Sequence, residues 1–343
     1  MRGRRLGARP WRLLLYGGLG CLLSVAVLVG LTMIYMPGRS YTGSLPPLTA
    51  AEVMLQERLT QHVYTLAGDI GERHLWRPAA LEAAARYIAA TWQQHGYSVA
   101  RQSFEVQGQT VANLEVELPG GAQRGEVVVV GGHYDSVLEC PGANDNATGV
   151  AAVLEIARLL AGAPRPRTVR LVAFVNEEAP FFGTEAMGSW MYARRARARG
   201  ERIVAMLSLE TIGYYTDAAD SQQYPAPFHL FYPRVGNFLG FVGDLASWRL
   251  VRRSIASFRR HTAFPSEGTA APRWLTDIGR SDHWAFWQAG YPGVMLTDTA
   301  PFRYAPYHTR NDTPEQIDYA RLARVVAGLA RVVAELAGQE VTP

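Results

Sequence analysis

The chain has 343 residues, 48% of them apolar and 19% charged, which is enough apolar content for a substantial core and is not the composition of a disordered chain. All 34 basic residues are arginines, so Schiff-base or P-loop chemistry that relies on lysine is excluded. The arginines are scattered rather than interleaved with aromatic residues, which argues against nucleic acid as a partner, and the two cysteines, Cys21 and Cys140, exclude a disulfide framework.

The amino terminus combines an arginine-rich segment, residues 1–11, with a nearly uncharged apolar segment, residues 12–36. A helix needs roughly 20 apolar residues to span a bilayer, and the arginines precede this run, so the pattern predicts a single-pass transmembrane signal anchor with a cytoplasmic tail. A cleaved signal peptide is the alternative, although the end of the run fits cleavage poorly. Residues 37–49 are predicted to be a linker, and residues 50–338 an extracytoplasmic catalytic domain.

Two helices and a pair of strands are predicted first within this domain. Apolar spacing indicates a helix over residues 50–68, and Pro78 starts a second helix that ends near Gln94. Partial alternation of apolar residues over 98–118 indicates two strands.

The centre of the chain predicts an α/β fold. Short runs rich in β-branched residues are typical of strands that are buried on both faces, and they alternate here with segments of helical spacing. The predicted strands are 127–130, 169–175, 202–209 and 294–296, and the helices between and after them are 147–161 and 320–336. We expect a three-layer α/β/α sandwich around a mostly parallel mixed sheet, with the less regular stretch 217–280 shaping a substrate cleft.

Imidazole and carboxylate side chains follow the ends of these four strands. The carboxyl ends of parallel strands meet at one rim, where ligands of α/β proteins bind. Imidazole nitrogens and carboxylate oxygens together suit Zn²⁺ without any thiolate. The candidate metal ligands are His133, Asp145, Glu178, Glu210 and His308.

Five ligands are too many for one open zinc site but suit two ions, if one carboxylate bridges them. Two ions about 3.5–4 Å apart hold a hydroxide and polarise a carbonyl together. A catalytic mechanism also needs a general base, and Glu177 stands beside a proposed ligand at a strand end, where it can face the water. Asp135 lies two residues after His133 and is suited to fix the tautomer of that imidazole.

Five ordered motifs resemble those of the di-zinc aminopeptidase family that includes aminopeptidase S and aminopeptidase Y, related to glutamate carboxypeptidase II and the glutaminyl cyclases. The likeness runs from about residue 52 to residue 336. The motifs are Gly132-His133-Tyr134-Asp135-Ser136, Pro141 to Gly149, Asn176-Glu177-Glu178, Ser281-Asp282-His283 and Tyr307-His308-Thr309.

The resemblance implies the zinc exopeptidase fold and a role for each residue. Asp145 would bridge two Zn²⁺ ions, Glu177 would be the general base, and Asp135 would support His133. His133 and Glu210 would complete one zinc site, and Glu178 and His308 the other. Asp282 and His283 would border the site in a supporting role.

Two positions depart from the family pattern. Asn144 stands where the family usually has Asp, which is harmless if Asp145 is the bridge. Glu210 is often Asp in aminopeptidases and Glu in some carboxypeptidase relatives, which keeps carboxypeptidase or dipeptidase activity open.

The function that the resemblance implies is hydrolysis of amino-terminal peptide bonds by a di-zinc-bound hydroxide, with Glu177 as the base and peptides with a free amino terminus as substrates. Glutaminyl cyclisation with one zinc is an alternative on the same scaffold. A non-catalytic ectodomain is a further alternative, although every ligand and the base are present.

Overall fold

The computed structural model describes residues 10–225 and 228–340, and its centre is one eight-stranded sheet in the order β1-β2-β4-β3-β5-β8-β6-β7. Four neighbouring strands, β4, β3, β5 and β8, are parallel, whereas β1, β2 and β6 each run antiparallel to a neighbour. The strands are β1 (Ala100–Val106), β2 (Gln109–Leu118), β3 (Gln123–His133), β4 (Arg167–Phe174), β5 (Arg202–Glu210), β6 (Leu239–Asp244), β7 (Ser266–Ala271) and β8 (Gly293–Thr297). The predicted mixed, mostly parallel α/β sheet is therefore confirmed.

Helices cover both faces of the sheet. One layer, in which α4 packs on β3, β4 and β5, contains α2, α3, α4, α6 and α8, and the other contains α5 and α7, which pack with Tyr192 and Phe286 on Val129 and Phe174. Each fully buried Val, Leu or Phe contributes roughly 1.5–3 kcal/mol, so these faces hold the layers together. The helices are α1 (Pro10–Ile34), α2 (Ala50–Val63), α3 (Pro78–Gln94), α4 (Thr148–Leu159), α5 (Gly188–Ala198), α6 (Trp248–His261), α7 (His283–Gln288) and α8 (Tyr319–Leu336).

The β-branched run of β3 explains why the site lies where it does. Val127 to Val130 are all buried, because β3 pairs in parallel with β4 on one side and β5 on the other and helices cover both faces. Buried parallel strands need apolar residues on both faces. The polar residues can begin only where the strand leaves the core, at His133.

The stretch 217–280 is more regular than the sequence suggested, because it contains β6, α6 and β7. The two strands were missed since Gly240, Gly243 and Gly268 interrupt their apolar patterns. Helix α6 was missed although its buried residues have helical spacing: they are Leu250, Val251, Ser254, Ile255, Ser257 and Phe258.

The amino-terminal segment forms helix α1, but no helix in the described part of the chain is long and apolar enough to cross a membrane. The predicted transmembrane anchor over residues 12–36 is therefore not supported, and most of the predicted tail lies outside the described residues. The predicted linker packs along the domain: Arg259 donates to the carbonyls of Met36, Pro37 and Gly38. The extracytoplasmic location stays a prediction.

Candidate metal centre and adjoining cleft

The polar side chains after β3, β4 and β5 meet at one edge of the sheet. His133 is the last residue of β3 and pairs with Phe174, the last residue of β4, while Glu210 is the last residue of β5. Glu177 and Glu178 follow β4, directly after Asn176. The side chains of His133, Glu177, Glu178 and Glu210 are all buried, whereas that of His308, which follows β8, is partly exposed. The strand register thus brings them to one rim, as the sequence predicted.

Asp145 lies between the two histidines. Its Oδ1 is 3.2 Å from His133 Nε2, and its Oδ2 is 3.0 Å from His308 Nε2. His133 Nε2 is also 3.4 Å from Glu210 Oε2, and His308 Nε2 is 3.5 Å from Glu178 Oε2. Each oxygen of the Asp145 carboxylate therefore faces a different group of candidate ligands.

The described part of the chain contains three sets of possible ligands, and within each set the ligand atoms all lie within 4.8 Å of one another. Two of them share Asp145 and match the two predicted sites. The third overlaps them through His133 and Glu178 and includes Glu177. The sets are His133, Asp145 and Glu210; Asp145, Glu178 and His308; and His133, Glu177 and Glu178.

Several ligand atoms lie close together without forming hydrogen bonds to one another. His133 Nε2, Asp145 Oδ1 and Glu178 Oε1 are buried and have no hydrogen-bond partner among the described residues. A buried polar atom without a partner costs about 1–3 kcal/mol, and more when it is charged. Cations held by the two ligand sets that share Asp145 would supply the missing partners of these atoms.

The pKa shifts of the clustered side chains show that a positive charge would stabilise this site. Burial raises the pKa of Glu177 and Glu178 well above the ordinary value, and neighbouring carboxylates raise it further. Burial alone would lower the pKa of His133, but the negative charges of Glu210 and Glu177 outweigh it and raise that pKa well above normal. Carboxylates that resist ionisation when packed together are stabilised as anions by a bound cation.

Asp135 supports both sides of the centre. Its Oδ1 lies 3.6 Å from His133 Nδ1, although the nearer contact of that nitrogen is the backbone oxygen of Asp135 at 3.2 Å. Its two carboxylate oxygens also accept the backbone N–H groups of Glu177 and Glu178, each at 3.1 Å. Asp135 therefore contacts the imidazole most closely through its backbone oxygen, and its side chain fixes the segment that carries two of the glutamates.

The loop that carries Asp145 is held by Asp312, which the sequence reasoning did not single out. The carboxylate of Asp312 accepts the backbone N–H of Asn144 at 2.8 Å and that of Asp145 at 3.1 Å. The Asn144 side chain points to other partners: it donates to Asp298 at 2.9 Å and accepts from Gly213 N–H at 2.9 Å. An aspartate at position 144 could not donate to Asp298, which explains how the departure from the family pattern fits this chain.

In the segment 281–283, the side chains of Ser281 and Asp282 border the site and that of His283 does not. Ser281 Oγ donates to Glu210 Oε2 at 2.7 Å. Asp282 is buried next to the centre, and burial raises its pKa to about 7. His283, however, bonds to the carbonyl of Ile278 and packs against Trp287, so it is not brought to the ligands.

Two cavities adjoin the ligands. The cleft directly above them has a volume of about 490 Å³ and is lined by Glu177, Glu178 and Glu210, with Phe182 and Trp284 among its other walls. A second cavity, of about 110 Å³, opens beside Glu210 and Tyr307 and is mainly apolar; we call it the side pocket. Its walls include Tyr224, Phe228, Tyr232, Phe238, Val242, Ile278 and Met295.

Most of these side-pocket residues come from the stretch 217–280, which was expected to shape a substrate cleft. Tyr307 lines both cavities and its ring stacks on that of His308 at 3.8 Å. Its position next to His308 in the sequence was the signal that could have identified Tyr307 as a residue of the site.

A family model described as Peptidase family M28 matches residues 113–333. The chain is 35% identical to the uncharacterised protein YfbL of Escherichia coli over 80% of this chain and 86% of that protein. It is 26% identical to aminopeptidase YwaD of Bacillus subtilis over 68% of this chain, but spans only 47% of the length of that protein. The fold resembles that of BSAP, a zinc aminopeptidase from Bacillus subtilis, with a TM-score of 0.66 at 16% identity over 82% of this chain and 94% of that chain.

Proposed function

Because the chain belongs to peptidase family M28, we propose that it is a zinc aminopeptidase that removes the amino-terminal residue from peptides. Membership of the family confirms the resemblance read from the sequence and the prediction of a metallopeptidase. The number of ions, the base and the direction of cleavage belong to the proposal. The observation that carries it is the Asp145 carboxylate between two ligand groups.

Two Zn²⁺ ions would be held by the two ligand sets that share Asp145. His133 and Glu210 would hold one ion, and Glu178 and His308 the other. When bound, such ions lower the pKa of water and polarise a carbonyl oxygen. The side chains are already gathered by the strand ends, so little reorganisation is needed when the metal binds.

Glu177 would move the proton. It lines the cleft, and its Oε2 is 3.9 Å from His133 Nε2, further than the carboxylate oxygens of Asp145 at 3.2 Å and Glu210 at 3.4 Å. Its backbone N–H is fixed by Asp135, so its carboxylate is directed into the cleft from a rigid turn. Glu177 would accept a proton from the attacking water and deliver it to the leaving amine.

The side pocket would receive the side chain of the amino-terminal residue. It opens at Glu210 and Tyr307, next to the site where the scissile bond must lie. Its aromatic and aliphatic walls favour an apolar side chain, because burying one removes apolar area from water on both surfaces.

The test is hydrolysis of short peptides by the purified, zinc-loaded protein. We expect release of the first residue from peptides with a free amino terminus, loss of activity with a chelator, and no cleavage of amino-acetylated peptides. Cleavage of the acetylated peptides from the carboxyl end would overturn the aminopeptidase proposal. Peptides that begin with Gln complete the set, since cyclisation without release of a residue would favour a glutaminyl cyclase.

A further inference from the structure

Arg73 is a fully buried arginine that lies beneath the metal centre and that neither the motifs nor the ligand sets include. Among the residues that the structure describes, its guanidinium donates hydrogen bonds to backbone carbonyls alone: those of Leu66, Gly71, Tyr134, Pro141 and Gly142. The bonds to Tyr134 and Gly142 are 2.7 and 2.8 Å long. Nε donates to Tyr134, Nη1 is within reach of three of these carbonyls and Nη2 donates to Gly142, so all three nitrogens of the planar fork take part.

The carbonyls that Arg73 contacts belong to the two segments that carry metal ligands. Tyr134 stands between His133 and Asp135, and Gly142 leads into the loop of Asp145. The backbone of Arg73 adds two further links, because its N–H donates to Ser136 Oγ at 3.1 Å and its carbonyl accepts from Ser136 N–H at 2.8 Å. One residue therefore ties the end of β3 to the loop of the bridging carboxylate.

The backbone at Gly142 is tightly packed and has a conformation that favours glycine. Gly142 has φ +66°, and a Cβ there would lie 2.5 Å from the carbonyl oxygen of Asp145 and 2.7 Å from Ser136 Cβ. The chain turns back on itself at this point, which only glycine adopts without strain. The carbonyl of Gly142 accepts the backbone N–H of Ala147 at 3.1 Å and, at the shorter distance of 2.8 Å, the guanidinium of Arg73.

The charge of Arg73 acts on the same carboxylates. All five acceptors are neutral, while the negative charges of Asp135, Asp145 and Asp312 act on the guanidinium through space. A buried cation that is held by carbonyls alone is costly unless its surroundings are negative. The acidic centre supplies that environment, and Arg73 partly balances its excess of carboxylates.

We propose that Arg73 is a positioning residue that holds the Asp145 loop against the His133–Asp135 segment and thereby sets the affinity of the centre for metal. The inference rests on the proposed function, since it assumes that the centre binds Zn²⁺. Lysine at position 73 keeps the charge but has three donors on one atom, so it cannot reach carbonyls on both segments at once.

Arg303 offers a matched control. It is a buried arginine that donates to the Gln222 side chain and to the carbonyls of Gly236 and Phe238, so its loss disturbs packing to a comparable degree. The segments that it joins carry no metal ligand.

The experiment is a competition titration of Zn²⁺ against a chelator with the metal-free full chain, in wild type, Arg73→Lys and Arg303→Lys, together with thermal unfolding of the metal-free proteins. We expect both variants to unfold at a lower temperature. Only Arg73→Lys should weaken Zn²⁺ binding by about 10- to 100-fold, as loss of groups that orient metal ligands commonly does. The absorption spectrum of bound Co²⁺ should change in Arg73→Lys and not in Arg303→Lys.

Wild-type Zn²⁺ affinity in Arg73→Lys, or an equal loss in both variants, would overturn the inference. If Arg73→Lys does not fold, Ser136→Ala serves instead, because it removes the acceptor of the Arg73 backbone N–H, which is one link between Arg73 and the end of β3, and leaves every ligand in place. Unchanged Zn²⁺ affinity there would also contradict the inference. A wild-type protein that binds no Zn²⁺ would instead contradict the proposed function.

Discussion

The metal centre and the side pocket lie next to each other and are built in opposite ways. The metal centre consists of ionisable side chains, all buried except that of His308, at the ends of β3 and β5 and in the loops around them. Hydrogen bonds and ion pairs fix these side chains or the backbone that carries them. The side pocket consists of aromatic and aliphatic side chains, many of them from irregular segments between Tyr224 and Phe238, that share one apolar space. Glu210, Arg280 and Tyr307 line both the side pocket and the cleft above the metal centre.

This difference implies that the metal centre determines the rate of catalysis and the side pocket determines substrate preference. A change in the metal centre should reduce turnover of every substrate, because it alters groups that act on the peptide bond itself. A change in the side pocket should instead alter the ranking of substrates, because it affects only the side chain that is bound there. Each of the following changes tests one side of this division.

The largest effect is expected for Glu177→Gln. The amide cannot accept the proton of the attacking water, so turnover should fall by about 10²- to 10⁴-fold for all peptides. Because Glu177 lies outside the two ligand sets that share Asp145, zinc content should stay at the wild-type level. The check is kcat on three peptides that differ in the first residue, with metal analysis of the same samples; undiminished kcat would rule out Glu177 as the base.

A smaller and selective effect is expected for Val242→Phe in the side pocket. The larger ring fills space that a leucine or phenylalanine side chain would occupy, so kcat/KM for such peptides should fall by about 10- to 200-fold. Peptides that begin with alanine should be cleaved nearly as before. Val53→Phe, the same change at an exposed position of α2, is the control. An equal loss for both kinds of peptide would contradict the role assigned to the side pocket.

The smallest effect concerns His283, which was predicted to support the site but packs away from it. Burial lowers its pKa to about 4, from 6.5 when unfolded, so the unfolded chain binds the proton more readily. Stability should therefore be full above pH 6.5 and decline as the pH falls towards 4. From about pH 7 to about pH 5 the decline should be about 2 kcal/mol.

His283→Gln should remove that part of the decline and leave kcat at neutral pH unchanged. The measurement is urea unfolding of the metal-free wild type and variant at both pH values, which cancels the titration of the other groups that the two proteins share. A large loss of kcat at neutral pH would place His283 in the centre after all.

The sequence predicted that the candidate ligands meet at one edge of the sheet, because the elements that carry them follow simple rules. Runs such as Val127–Val130 can only be strands buried on both faces, and the side chains that follow parallel strands must meet at one edge. The five ligand candidates, Glu177 and Asp135 are accordingly brought together. Their roles remain part of the proposal.

The remaining parts depend on contacts between distant segments, which periodicity does not reveal. Asp312 and Arg73 hold the loop of Asp145 from positions 167 and 68–69 residues away. The strands β6 and β7 contain glycines where the pattern expects apolar residues. The side pocket needs both of these strands and the irregular segment around Phe228, so only its general location could be predicted.

The most direct test of the account is the zinc content of the wild-type protein after loading with Zn²⁺ and removal of excess metal, measured together with release of the first residue from a free-amine peptide. Asp145 between two ligand groups predicts two Zn²⁺ per chain and activity that disappears when both are removed. Full activity with one Zn²⁺ or none would contradict the two-metal centre.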